Sequence, residues 1–134
     1  MQELLDGKAS SVPAHVRERF DPSPAAIQAA RAFLQDAIAG RAENDISEEL
    51  TLVLSELATN AVEHAGTPFE VVVETDGFVR IEVEDGSTAK PVKQSESPTA
   101  VHGRGLQIVE DVCDRWGVHV AHDRKCVWCE RELT

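Results

Sequence analysis

Apolar residues recur three to four positions apart in two segments of the first half of the chain, as in helices with one buried face. The first segment follows Pro24, which suits an opening turn because the N–H that it lacks has no partner there, and it ends at Gly40. The second segment is predicted to begin at Asp45, where Glu48 completes a capping box, and to run to about Ala65. Two helices are therefore expected before the middle of the chain.

Apolar and polar residues alternate in shorter segments, which predict strands. These segments are residues 15–20, 69–74, 78–84, 116–121 and 126–133. Asp76-Gly77 predicts a hairpin, Asp123-Arg124-Lys125 is predicted to turn the chain between the last two strands, and a third helix is expected from Gly105. The order β-α-α-β-β-loop-α-β-β predicts an α+β fold, a two-layer sandwich in which a mostly antiparallel mixed sheet carries helices on one face.

Length and composition indicate one globular unit. The chain has 134 residues, of which 42% are hydrophobic, so we expect a single domain over residues 14–134 behind a flexible polar arm of residues 1–13. We find no apolar run of about 18 residues that would span a membrane, and the first residues lack the pattern of a secretory signal. Three cysteines fit a reducing compartment, so a cytoplasmic location is expected.

The formal net charge of −11 restricts the class of partner. Proteins that bind the nucleic-acid backbone usually cluster Lys and Arg, and the sequence has no such cluster, so direct binding to nucleic acid is not expected. Two interpretations of the acidic surface stay open: a solvated face, or a docking surface for a basic protein.

Two groups of polar residues stand where a ligand could bind. Glu56, Asn60 and His64 are spaced four residues apart and form a polar stripe beside the buried face of the second predicted helix. Such side chains need partners, which either a ligand or local bonds on a solvated flank could supply. Asp85 ends a predicted strand before Gly86, so its carboxylate could accept a hydrogen bond from an exocyclic amine; a plain turn is the alternative.

Gly103-Arg104-Gly105-Leu106 opens the third predicted helix. Free N–H groups at a helix start attract an anion, and glycines let a phosphate approach the backbone. The motif is neither a dinucleotide fingerprint, which needs a third glycine after a strand, nor a Walker A loop, which needs Gly-Lys-Ser/Thr. The polar residues 86–102 before it predict a long loop, of the kind that is functional or disordered.

His119, His122, Cys126 and Cys129 could suggest a zinc site. If the last two strands pair around residues 123–125, His122 faces Cys126 and His119 faces Cys129. Side chains alternate across a strand, so the two pairs would then point to opposite faces and could not bind one ion. We therefore expect no structural metal there. We expect both tryptophans, Trp116 and Trp128, to lie in the core.

Taken together and in this order, residues 56–65, 83–87 and 103–109 resemble the ATP-binding fold shared by histidine kinases, Hsp90 and gyrase. Within that fold the chain is most similar to the stand-alone anti-sigma-factor serine kinases, and residues 114–117 and 127–128 contribute to the likeness. The resemblance covers about residues 14–133. Two departures, Ser87 where a glycine is usual and Cys126 where a threonine is usual, both concern the adenine end of the site.

The resemblance implies a role for each motif. Asn60 would bind the Mg²⁺ that bridges the phosphates, and Glu56, one turn earlier, would act as general base. Asp85 would bind the adenine amino group, and residues 87–102 would form a lid. The other implied nucleotide-binding residues are Ser87, Gly103, Arg104, Gly105 and Leu106.

The resemblance also implies a function: an ATP-dependent serine/threonine protein kinase that acts as an anti-sigma factor in a partner-switching pathway. It would phosphorylate a serine on an anti-sigma-factor antagonist and hold a sigma factor when the antagonist is phosphorylated, and a homodimer is plausible. Two alternatives stay open, a non-catalytic ATP-binding interaction module and a free-standing ATPase that transfers phosphate to water. Glu56 favours catalysis, because a module that only binds needs no base.

Overall fold

The computed structural model describes residues 13–86 and 104–133. The helices are α1 (Pro24–Ile38), α2 (Asn44–Asn60) and α3 (Arg104–Val112), and a π-helical turn (Ala61–Ala65) extends α2. The strands are β1 (Ala14–Phe20), β2 (Phe69–Thr75), β3 (Phe78–Asp85), β4 (Arg115–Val120) and β5 (Lys125–Glu132). This order of elements confirms the predicted one. None of the helices in these two ranges is both long and apolar enough to cross a bilayer.

The strands form one sheet in the order β1-β2-β3-β5-β4, and all of these pairs are antiparallel. The hairpin between β2 and β3 turns at Gly77, whose φ of +74° lies in the left-handed region that glycine adopts without strain. The chain then returns through α3 to the far edge of the sheet, where β4 and β5 form a second hairpin. As a result β5 lies beside β3, and the ends of these two strands come together.

The helices cover one face of the sheet and enclose the core. Alternate residues of β2, β3 and β5 point toward the helices and are almost completely buried. The inward-facing strand residues of the core include Val71, Val73, Val79, Ile81, Val83, Val127 and Cys129. The opposite face, which we call the open face, carries ion pairs between Arg80, Arg115 and Glu130. The fold is therefore the predicted α+β arrangement with helices on one side.

The start of α2 differs from the prediction. The helix begins at Asn44 behind Glu43, which caps it without a side-chain hydrogen bond, and Asp45 already lies in the first turn. The capping box of Asp45 with Glu48 is therefore wrong. The cause is that the Ser47 N–H donates to the Glu43 carbonyl at 2.8 Å, which starts the helical bonding ahead of Asp45.

The pairing of β4 with β5 also differs from the prediction. Lys125 belongs to β5, and the turn closes with the Ala121 N–H donating to the Arg124 carbonyl at 2.8 Å. His119 therefore faces Cys126, and Cys129 faces Trp116, so the predicted register is wrong. The core position predicted for Trp128 is also wrong: it pairs with Glu82 on the open face, where the guanidinium of Arg80 lies 4.3 Å from its ring centre.

Candidate functional site

The polar stripe of α2 lies at the border of the core. Leu50, Val53, Leu54, Leu57 and Ala58 form the buried face of the helix. Glu56 and Asn60 lie about a quarter to a third of a turn away from the centre of that face, at 100° per residue, and both are half-buried. They therefore occupy one flank of the helix, accessible to a ligand in the groove beside it.

An arginine of β5 shows which neighbour this flank faces. Arg131 donates one hydrogen bond to Glu49, which lies on the same flank of α2, at 2.8 Å, and another to the carbonyl of Val112 at the end of α3, at 2.9 Å. The flank that carries Glu49 is thus the flank that faces α3, and the two helices pack against each other.

The directions of the two helices place the start of α3 beside the polar stripe. The bridge at Arg131 brings the last residue of α3 level with Glu49, and α2 continues for eleven residues beyond Glu49 but for only five before it. The nine residues of α3 can therefore pack along α2 over their length only if the two helices run antiparallel. Two turns, toward the end of α2 and toward the start of α3, span about 12 Å from this bridge, at 1.5 Å per residue. Arg104, the first residue of α3, therefore lies level with Glu56 and Asn60. The groove between the helices has polar side chains on one wall and a helix N-terminus on the other.

The start of α3 offers backbone N–H groups to this groove. The helix has nine residues, and Leu106 and Val109 anchor it because both are buried. Its free N–H groups and its dipole favour an anion at this end. The backbones of Arg104 and Gly105 lie within the helix, whereas Ser87, Gly103 and the predicted lid of residues 87–102 lie outside the described residues.

A change of helical geometry separates Asn60 from His64. Asn60 is the last α-helical residue, and the π-helical turn that follows closes with the Gly66 N–H donating to the Ala61 carbonyl at 3.3 Å. Gly66 has a left-handed φ of +65°. π-Helical turns inside or at the end of α-helices occur often at functional sites. The turn interrupts the predicted stripe, so Glu56 and Asn60 share the groove while His64 is exposed.

Asp85 lies at the end of β3, on the helix side of the sheet, with 4% of its side chain exposed. Next to it, the Gly86 N–H donates to the Thr67 hydroxyl at 2.8 Å. A Cβ at Gly86 would lie 3.1 Å from that hydroxyl oxygen, so the close approach favours glycine. The carboxylate is therefore held in position at the end of the sheet below the π-helical turn, which packs against β3.

The sequence did not indicate that Lys125 would be part of this region. Lys125 is the cross-strand neighbour of Asp85, its side chain is 7% exposed, and its Nζ lies 3.8 Å from Asp85 Oδ2. A lysine after Asp-Arg is typical of an exposed turn, and only the pairing of β3 with β5 places it in the interior. The one available signal was the alternation of buried Val127 and Cys129, which extends back to position 125.

The cysteines lie on both faces of the sheet. Cys129 is buried in the core, whereas Cys126 lies on the open face with its sulfur and the carboxylates of Glu82 and Glu84 within 4.8 Å of one another. Desolvation and these two carboxylates raise the pKa of Cys126 to about 12. Arg80 and Arg124 already pair with the carboxylates, at 2.7 and 3.4 Å. This cluster lies on the opposite face from the groove between α2 and α3.

The groove has side chains that suit a magnesium ion. Mg²⁺ takes oxygen ligands and is usually bound by one or two protein side chains together with phosphates. Among residues 13–86 and 104–133, neither Glu56 nor Asn60 uses its side chain in a hydrogen bond or an ion pair. The half-buried amide oxygen of Asn60 therefore fits a hydrated Mg²⁺ bound beside an anion at the start of α3, and the Glu56 carboxylate lies one turn away.

Comparison with known proteins identifies the family of the chain. The model of the histidine kinase-like ATPase domain family matches residues 20–130, which include the groove, Asp85 and Lys125. No curated protein matches the chain significantly. Among solved structures, the crystal structure of the RsbU and RsbW domains of Rv1364c from Mycobacterium tuberculosis is similar over 91% of this chain, with a TM-score of 0.65 and 20% identity. The chain spans about a third of that structure, 32% of its length. The chain belongs to the family of histidine kinase-like ATPase domains.

Proposed function

We propose that the chain is an ATP-dependent serine/threonine protein kinase that acts as an anti-sigma factor. The observation that carries the proposal is the packing of α3 against the flank of α2 that holds Glu56 and Asn60, with the end of α3 bonded through Arg131 near the start of α2. Asp85 ends β3, and its neighbour Gly86 donates to Thr67 just after the π-helical turn that extends α2. Membership of the ATPase family supports nucleotide binding there. The name of the RsbW domain in the similar structure supports this branch of the family.

The chain's own groups would do the work of phosphoryl transfer mainly by positioning and by charge. The N–H groups at the start of α3 would hold phosphate oxygens, and Asn60 would bind the metal ion. Mg²⁺, when bound, neutralises negative charge on the phosphate oxygens. Glu56, one turn from Asn60 on the same flank, would accept the proton of the attacking serine hydroxyl.

The proposed partners are a sigma factor and an anti-sigma-factor antagonist, with phosphorylation of the antagonist deciding which of them the chain holds. The net charge of −11 suits partners with basic docking surfaces. A free-standing ATPase would use the same groove with water as acceptor, and a module that only binds ATP would not depend on Glu56.

The test is transfer of label from γ-labelled ATP to candidate antagonist proteins. The wild-type chain should label an antagonist on serine, and Glu56→Gln should bind ATP but transfer label at least about 100-fold more slowly. Glu48→Gln is the matched control, because Glu48 lies exposed on the same helix.

Three outcomes would contradict parts of the proposal. If ATP binds but no antagonist gains phosphate, the kinase function is refuted and a binding module is favoured. If label appears only as free phosphate, the chain is an ATPase. If Glu56→Gln transfers label at the wild-type rate, Glu56 is not the base.

A further inference from the structure

A buried pair of opposite charges lies at the end of the sheet where β3 ends and β5 begins. Asp85 and Lys125 are cross-strand neighbours on the helix side of the sheet, and their side chains are 4% and 7% exposed. Taking two charges out of water costs several kcal/mol for each ion unless interactions compensate. A pair that is retained at this depth, beside a candidate ligand site, suggests a recognition role as well as a structural one.

The geometry leaves the ammonium able to make another contact. At 3.8 Å, Nζ and the Asp85 carboxylate oxygen attract each other as charges but are too far apart for a hydrogen bond. An ammonium has three N–H donors. Within the described ranges, Lys125 donates none of them to another residue. At least one donor can therefore point at a ligand that enters above the pair.

We infer that Asp85 and Lys125 together read the edge of the purine base, with Lys125 donating a hydrogen bond to the ring nitrogen N1. This inference rests on the proposed nucleotide site and adds to it a residue that determines base specificity. Adenine presents a donor, the 6-amino group, directly next to an acceptor, N1. A carboxylate beside an ammonium offers the complementary acceptor and donor in the same order.

The charge balance of the pair favours a neutral base edge. A carboxylate alone would be left with an uncompensated charge when a base excluded water from this end of the sheet. Lys125 supplies the compensating charge in the unliganded and in the bound protein. A base that covers this end of the sheet therefore leaves neither charge unpaired.

Ligand atoms and protein atoms can be removed separately to test this inference. The 1-deaza analogue of ATP keeps the 6-amino group and replaces N1 by C–H, so it lacks only the acceptor for Lys125. The wild-type chain should bind it about tenfold or more weakly than ATP, since a hydrogen bond to a charged donor is typically worth that much. In Lys125→Met, ATP and the analogue should bind equally.

The matched control is Arg124→Met, which removes the adjacent cation, 62% exposed and paired with Glu84 on the other side of the sheet. This variant should keep the wild-type preference for ATP. Equal binding of ATP and the analogue by the wild-type chain would overturn the inference without any mutation, even if Lys125→Met does not fold. A preference for ATP that survives in folded Lys125→Met would overturn it too. Absence of ATP binding by the wild-type chain would refute the proposed function and this inference with it.

Discussion

The buried pair of Asp85 and Lys125 also makes a prediction about stability. Lys125→Met keeps the length and the apolar stem of the side chain but removes its charge. The adjacent Arg124→Met removes a cation from an ion pair of similar length, 3.4 Å against 3.8 Å. The two pairs differ mainly in exposure, 62% for Arg124 and 7% for Lys125. Comparing the two variants therefore isolates the effect of burial.

The expected magnitudes follow from the two environments. At 3.8 Å and an effective dielectric constant of about 20, the attraction between the buried charges is roughly 4 kcal/mol. Removing one partner of a buried pair costs about 3 to 5 kcal/mol, because the other charge stays behind unpaired. Asp85 keeps a further interaction, so we expect the lower end, about 3 kcal/mol. The exposed pair of Arg124 should contribute at most about 1 kcal/mol.

Urea unfolding, followed by tryptophan fluorescence, measures these differences. The midpoint should fall clearly in Lys125→Met and hardly at all in Arg124→Met, with similar slopes in all variants. The double variant Asp85→Asn/Lys125→Met should recover much of the loss, because it leaves no unpaired charge. Equal losses in Lys125→Met and Arg124→Met would refute the reasoning, since burial would then make no difference.

Two further predictions concern Gly117 and the cysteines. Gly117→Ala should destabilise the fold by about 1 to 3 kcal/mol in urea unfolding, because its Cβ would lie 2.8 Å from Trp128 Nε1; an unchanged midpoint would contradict this contact. In limited alkylation at pH 8 read by mass spectrometry, Cys113 should react before Cys126. The hydrogen bond with Cys129 lowers the pKa of Cys113, whereas a pKa of about 12 keeps the Cys126 thiol protonated below that pH. Faster labelling of Cys126 would contradict the second prediction.

The order of the helices and strands was predictable because the spacing of apolar residues differs between helices and strands. Apolar residues at helical spacing marked α1 and α2, and the Asp76-Gly77 turn marked the β2–β3 hairpin with little ambiguity. The start of α2 was missed because a capping box at Asp45 is a side-chain signal, whereas the backbone of Glu43 already accepts the first helical hydrogen bond.

The site could be predicted only where its residues follow one another along the chain. Glu56 and Asn60 share a helix flank, so their spacing was informative. The contact between Asp85 and Lys125 depends on the register of β3 with β5, which local sequence does not specify. The turn was predicted at residues 123–125, whereas it spans residues 121–124. The prediction therefore put Lys125 outside the strand and paired the wrong histidine with Cys126. The π-helical turn after Asn60 likewise had no signal in the sequence that we could identify.

The central claim is that the groove between α2 and the start of α3 binds a nucleoside triphosphate together with Mg²⁺. Calorimetric titration with ATP, with and without Mg²⁺, tests it most directly on the wild-type chain, Asn60→Ala and the control Asn44→Ala, which changes an exposed asparagine at the far end of α2. With Mg²⁺ present, Asn60→Ala should bind ATP at least roughly 10- to 100-fold more weakly than the wild type, since even loss of an outer-shell partner of a metal ligand typically costs that much in metal affinity. Without Mg²⁺ the three proteins should bind alike. Equal affinity of Asn60→Ala and wild type for Mg²⁺-ATP would contradict the claim.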